Sequence, residues 1–515
     1  MGNLIMMKIS HNKGEEEMKK ITVILHVLLI LLLCSCTSSI LNTNQNLSKF
    51  EEENFGKRFT PAELQADLNF LVKTSLSVHP SFYSAVDSLT FQKELLKIRS
   101  NLKEPATRIE FYKRIAPLLA MLNNGHTGII APAEEWNSYL NNGGRYLPFR
   151  ISYENSNGVV VKKNLDSNST IKEGAKIIRI NNLSADSLFN VIKKNYGGER
   201  DVWRNMMAEN SFNQSLWLYG VKPPYRLIYS SANSKNEFNF ETEGKISDQT
   251  KNQNQANRTR YKRYTFNMLP DKIGYINYTS MGNDPENPFE EFLAKSFTEL
   301  KSKSAKGLIV DLRKNGGGNS MYGDLLLDYV TDKPYKDAAK KVWKMSPEYK
   351  SYWRGRITWW LRWLSYPPAV WLARIFFDEA KIFTADDGES IVYDFPETTP
   401  GNNPLRFNGK VCFLIGTDTY SSAVMLSNAA GDYKLAELIG EETGGIPNEF
   451  GDLYQFSLPV TCIQVYLPTA QFVRANGDAT DRRGVLPDIE VKQKPEDTKL
   501  GIDTGLETAR LWILK

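Results

Sequence analysis

Histidine and cysteine are scarce in this chain, at four each in 515 positions. Neither is arranged to hold a metal: no H-E-x-x-H and no paired C-x-x-C occurs, and the phosphate-binding pattern G-x-x-x-x-G-K-[ST] is missing as well. Nucleotide and zinc chemistry therefore have no basis in the sequence, and no cofactor is expected. An excess of one charge is also lacking. The 64 Lys and Arg against 59 Asp and Glu leave a net +5 without a basic block, which argues against nucleic acid as a partner. The longest apolar run, Ile21 to Leu33, is too short to span a bilayer comfortably. What remains is the composition of an ordinary globular protein, 41% hydrophobic and 24% charged, long enough for two or three domains.

The apolar run follows Met18, Lys19 and Lys20 and leads into Leu33, Cys34, Ser35 and Cys36, the layout of a secretory signal. Its last four residues resemble a bacterial lipobox, which would make Cys36 the lipidated first residue of the mature chain. The expected location is then the cell envelope, anchored by lipid on the periplasmic or outer-membrane side. A plain secretory signal and an uncleaved anchor are the alternatives. Glu15 to Glu17 suit a signal n-region badly, which makes Met18 a candidate start. Cleavage would leave two thiols, Cys412 and Cys462, both in apolar strand-like runs; buried free cysteines or a disulfide would fit. It would also leave two histidines, His79 and His126.

From Cys36 to about Arg58 the sequence is a polar tether. Thr60, Pro61, Ala62 and Glu63 form a capping box with proline at the first helical position, and helical periods continue through Phe91 to Leu102 and Thr107 to Leu122. Residues 59–130 thus read as a small helical unit, ending in Asn124, Gly125, His126 and Thr127, a tight turn before a strand. Residues 145–242 read as a β domain. Strands at Leu147 to Ile151, Gly158 to Lys162 and Gly174 to Asn182, then a helix from Ser184 to Lys194, resemble a degenerate PDZ domain over residues 145–196. Such a domain implies capture of an extended peptide, or a spacer of the same fold. Residues 243–260 are a polar linker.

From residue 261 to 495 the chain alternates strand and helix, the pattern of a mostly parallel sheet. Gly307 to Leu312 runs into Arg313, Lys314, Asn315, Gly316, Gly317 and Gly318, where glycine lets backbone N–H groups turn toward an anion. Val411 to Ile415 is a buried strand, and Ala423, Val424, Leu426 and Ala430 recur at helical spacing, with Ser421 and Ser422 between. A serine at a strand-to-helix turn is either an N-cap or a nucleophile beside the positive end of a helix. An insert at residues 341–380 interleaves six tryptophans with Arg354, Arg356, Arg362 and Arg374. It suits a membrane interface, a lid over a substrate groove, or packing on the sheet. Residues 496–515 read as a C-terminal tail.

Taken in order, D-L-R-x-N-G-G-G, T-x-S-S-A, G-E-x-T-G-G and R-G-V-L-P-D-I-E-V resemble the C-terminal processing and tricorn-core serine peptidases. The resemblance implies an α/β fold, a ClpP/crotonase-like ββα superhelix core beside the helical unit and the PDZ-like domain. It places the nucleophile on Ser421. The lysine of the Ser-Lys branch would follow Gly440 to Gly445, where this chain has Ile446, so the histidine-using branch is the better match and His126 the implied base. The acidic partner falls on Asp481, and the oxyanion donors on the backbone N–H groups of Gly317, Gly318 and Ser422. Asp311 and Asp488 read as sheet-end hydrogen-bonding residues. The implied activity is serine endopeptidase action on peptides or protein tails, by Ser-His-Asp chemistry. A silent peptide-binding relative and crotonase-like acyl chemistry are the competing readings.

Overall fold

The computed structural model describes residues 47–515 except 168, 232–235, 248–261, 377–379, 495–496 and 498–499. The signal segment with Cys36, and most of the polar linker, lie outside the described residues. The chain divides into two compact units, one of Ser48–Lys344 with Ser390–Lys515, the other built on Met345–Glu389.

In the larger unit the helix Pro61–Val78 begins as its capping box dictates: Thr60 N donates to Glu63 Oε2 at 2.7 Å, and Glu63 N donates back to Thr60 Oγ1. Thr107 and Glu110 repeat the device for Arg108–Ala120. Leu64, Leu68, Leu71, Phe111, Ile115 and Leu119 are buried at helical spacing. Asp67 is buried too, because its carboxylate accepts from Val460 N, Thr461 N and Thr461 Oγ1. The helical segment is thereby tied to the turn between Phe450–Ser457 and Gln464–Val473.

Residues 149–242 form an antiparallel sheet in the order Glu237–Thr242, Tyr225–Ser230, Lys176–Ile180, Gly158–Asn164, Phe149–Glu154, with Leu183–Ser184 paired to Lys176–Ile180. The helices Ala185–Lys193, Asp201–Asn210 and Phe212–Leu218 share its core through Phe189, Ala208, Phe212 and Leu216.

The sheet that carries the site runs Tyr264–Met268, Ile273–Tyr278, Gly307–Asp311, Lys410–Ile415, Glu437–Gly440, Ile489–Glu490, parallel except for the first pair. Its central strands Gly307–Asp311 and Lys410–Ile415 are buried on both sides, as central parallel strands must be. Leu308, Val310, Val411, Phe413 and Ile415 face a core with the helices Phe289–Ser302, Met321–Leu327 and Ser422–Asp432. Ile309, Cys412 and Leu414 face the other way, against Ala509 and Ile513. Those two residues belong to the helix Thr504–Leu514, capped by Asp503. The stretch read as a C-terminal tail is therefore in large part a packed helix. Cys412 and Cys462 are free thiols.

A further sheet runs Ser390–Asp394, Lys340–Lys344, Gln464–Val473, Phe450–Ser457. The strand Gly128–Ile129 also pairs with Gln464–Val473, which draws the His126 turn toward the parallel sheet. In the smaller unit, Pro347–Arg356 and Ala369–Phe376 are helices joined by the 3-10 segment Trp359–Ser365. Among the described residues no helix is long and apolar enough to cross a membrane.

Candidate active site

Ser421 follows the strand Lys410–Ile415 and precedes the helix Ser422–Asp432. Its backbone takes φ 54° and ψ −132°, a conformation that non-glycine residues avoid because Cβ crowds the chain. The turn is locked from below. Thr419 Oγ1 donates to Leu312 O and accepts from Gly416 N, and Tyr420 N donates to Asn315 O. Ser421 makes no capping bond to its helix. Its Oγ lies instead 3.0 Å from His126 Nε2, across 295 residues of sequence.

His126 is buried, and its turn is held by side chains. His126 N donates to Asn124 Oδ1 at 2.7 Å, and the Glu199 carboxylate accepts from Asn124 Nδ2 at 3.0 Å and from Gly125 N at 3.4 Å. Glu199 also accepts from Tyr420 Oη at 3.0 Å. The Tyr420 ring lies flat on Trp203, with centroids 3.5 Å apart, and 5.1 Å from the imidazole. Gly125 leaves the room for this contact: a Cβ there would come within 2.0 Å of Tyr420 Oη and 2.6 Å of Trp203 Nε1. Burial lowers the His126 pKa to about 4, with the charge of Asp452 opposing the shift. The ring is neutral at pH 7, as a proton acceptor must be.

Asp481 does not reach this ring. Its carboxylate accepts from Arg474 Nη1 at 2.7 Å and Arg483 Nε at 3.1 Å, and the hydrogen bonds and charge of Arg483, with Arg474 beside it, hold its pKa below the usual carboxylate range. Two guanidinium partners outcompete one neutral imidazole for an aspartate. His126 Nδ1 is buried with no hydrogen-bond partner among the described residues, and so is Glu449 Oε2. Burial, with Glu199 and Asp452 nearby, raises the Glu449 pKa well above its ordinary value.

Of the three expected oxyanion donors, Gly317 is committed elsewhere: its N–H donates to Asn315 Oδ1 at 2.9 Å. Asn315 is fully buried and donates to Tyr278 O, so it shapes the glycine loop from inside. The N–H groups of Gly318 and Ser422 have no hydrogen-bond partner among the described residues. The glycine loop touches the serine turn, since a Cβ on Gly317 would lie 2.8 Å from Ser421 Cβ and 2.9 Å from Ser422 N. Ser422 Oγ donates to Gly318 O at 2.8 Å and fastens the two together.

The remaining motifs meet behind the serine. Glu442 Oε1 and Thr443 Oγ1 accept from Gly484 N and Val485 N, and Arg200 donates to Glu442 Oε2 at 2.7 Å. Asp311 pairs with Arg313 and accepts from Tyr275, while Asp488 accepts from Leu438 N, both at sheet ends. His79 is buried against Phe450, its pKa lowered to about 3 by burial and by Lys344. No histidine or metal-ligating cluster that could hold an ion occurs among the described residues.

The sequence reading passed over Glu199, Trp203, Tyr420 and Asn315. Only Asn315 left a local signal, an Asn two places before a glycine, the pattern of a side chain closing a turn on the backbone.

Residues 272–491 match the family model described as Peptidase family S41. No curated protein matches the chain. Among solved structures, mature CPAF complexed with lactacystin is similar with a TM-score of 0.60 at 16% identity, over 87% of this chain and 96% of that one. A CPAF mutant gives 0.60 at 16% identity, over 85% and 94%. At that identity the likeness is one of fold. The matched stretch contains the serine turn and the glycine loop against it, so over residues 272–491 the chain is similar to Peptidase family S41.

Proposed function

We propose that this chain is a serine endopeptidase acting on peptides or protein C-terminal tails in the cell envelope. The observation that carries the reading is the 3.0 Å approach of His126 Nε2 to Ser421 Oγ at a strained turn. With Nδ1 protonated, Nε2 accepts the Ser421 proton while Oγ bonds to the scissile carbonyl carbon. Negative charge then collects on the carbonyl oxygen, where the free N–H groups of Gly318 and Ser422 are the available donors. Each such donor contributes about 3 kcal/mol in comparable sites. The imidazolium next gives its proton to the leaving amine, the C–N bond breaks, and water repeats the sequence on the acyl-enzyme.

Glu199 acts here as a positioning residue, holding the His126 turn and Tyr420 in place of an acid paired to the ring. The sheet over residues 149–242 would receive the extended substrate along an edge. A fluorophosphonate probe on the full chain tests the chemistry. Labelling is expected, absent in Ser421→Ala and greatly reduced in His126→Ala; an unlabelled wild type would favour the silent peptide binder. The envelope location rests on the lipobox-like segment, and incorporation of labelled palmitate that disappears in Cys36→Ser is its test.

A further inference from the structure

The smaller unit exposes what the rest of the chain covers. Ten tryptophans occur in the sequence, and the four that are exposed all lie in one short stretch. Trp359, Trp360, Trp363 and Trp371 are 80%, 56%, 61% and 54% exposed, with Leu372 at 65% and Ile375 at 72%. Tyr349, Val370 and Ile382 of this unit are buried. In Ala369–Phe376 the apolar side chains Trp371, Leu372 and Ile375 point to solvent, while Val370 is buried. A surface this apolar marks a contact site.

Its charge is one-sided. From residue 351 to 376 the sequence carries Arg354, Arg356, Arg362 and Arg374 and no acidic residue, while Lys350 just before them is paired with Asp387. The Arg354 guanidinium lies over the Tyr366 ring at 4.6 Å and that of Arg374 beside Trp371 at 5.9 Å, so cations are interleaved with the exposed rings. Tryptophan pairs an apolar body with a polar N–H, and arginine an apolar stem with a cationic head. Both suit a boundary between hydrocarbon and anionic headgroups better than a uniformly apolar protein pocket.

We propose that residues 359–375 are a lipid-binding surface that seats its tryptophans at the headgroup level of an anionic membrane. The surface is distinct from the N-terminal segment and lies in plane with the bilayer instead of crossing it. It does not depend on the peptidase reading. If Cys36 is lipidated, this surface is a second, independent contact with the same membrane.

The test uses the full chain carrying Cys36→Ser, mixed with phosphatidylglycerol vesicles whose acyl chains are brominated, and with phosphatidylcholine vesicles for comparison. Bromine quenches tryptophan emission only at close range, so the readout is local to the exposed rings. Quenching on the anionic vesicles should approach about two-fifths of the emission, the share of four tryptophans in ten, and should fall with added salt. A variant with Trp359→Ser, Trp363→Ser, Trp371→Ser and Ile375→Ser should bind these vesicles at least about tenfold more weakly. Its circular dichroism should stay unchanged, because the substituted side chains are exposed. Vesicle binding without quenching would assign attachment to the N-terminal segment alone and overturn the proposal. So would a variant that binds as the parent does, or lipid-free self-association that the same substitutions abolish, which would make a second copy the occupant.

Discussion

Lowering the pH separates a buried, unpaired histidine base from the ion-paired one that a Ser-His-Asp arrangement would contain. His126 is neutral down to a pKa of about 4 because burial disfavours its cation. The distance from the ordinary 6.5 corresponds to about 3 kcal/mol of preference for the neutral ring. At pH 5.5 about 97% of such rings are neutral, against about one-tenth for an ordinary histidine. The rate of fluorophosphonate labelling at Ser421 should therefore hold nearly level from pH 8 to pH 5.5 and fall with a midpoint near 4. The same burial bears on stability. His126 and His79 both have depressed folded values, so the unfolded chain binds more protons once the pH drops below 6.5, and stability is lost as the pH falls toward about 4 and about 3. Labelling rates must accordingly be divided by the folded fraction from near-ultraviolet circular dichroism. A midpoint near 6.5 in protein that is still folded would refute the reasoning, and so would a midpoint that moves in Asp481→Asn, since Asp481 is engaged by Arg474 and Arg483.

Three further outcomes follow from the contacts around the pair. Gly125→Ala should slow labelling about 100-fold or more with little change in circular dichroism, because its Cβ would displace Tyr420 and Trp203 and with them the imidazole; near-normal labelling would mean the ring stack is not what sets the geometry. Glu199→Gln keeps the shape but turns one acceptor into a donor facing Asn124, Gly125 and Tyr420, so labelling should slow about tenfold, read by the same probe across pH. Asn315→Ala strands Gly317 N–H and Tyr278 O in the core, and thermal unfolding should register a loss of about 2 to 4 kcal/mol.

The parallel sheet could be read in advance because its central strands are buried on both faces and bounded by turn residues, as in Gly307–Asp311 and Lys410–Ile415. Ser421 and His126 could be read only through the ordered motifs that resemble the peptidases: the strand-to-helix turn alone leaves Ser421 equally an N-cap, and His126 is one of two histidines in the chain after residue 36. Glu199 could not. It follows Gly197 and Gly198 in a segment with no periodicity, and its partners lie 74 to 221 residues away. Asp481 has the opposite origin: the resemblance to the peptidases implied it, while the local competition from Arg474, a neighbour across a loop, is invisible to a motif match. The helix Thr504–Leu514 was passed over although Asp503 caps it, because its buried face is small, with Gly505, Ala509 and Ile513 against the sheet.

A carboxylate can serve a histidine base in two ways, by fixing its place or by balancing its charge, and this site divides the work. Glu199 bonds to the backbone and to Tyr420 and leaves the ring itself untouched, so it supplies position. The charge that acts on the ring is that of Asp452, which opposes the burial shift from beside Lys341 and Trp343. The cation formed during acylation then draws on Asp452 through space, without a hydrogen bond. Asp452→Asn should move the acid limb further below about 4 and slow labelling modestly at every pH, whereas Glu199→Gln should slow it without moving the limb. If instead Glu199→Gln shifts the limb and Asp452→Asn does not, the carboxylate that balances the imidazolium is Glu199, and the division of roles drawn from these contacts is reversed.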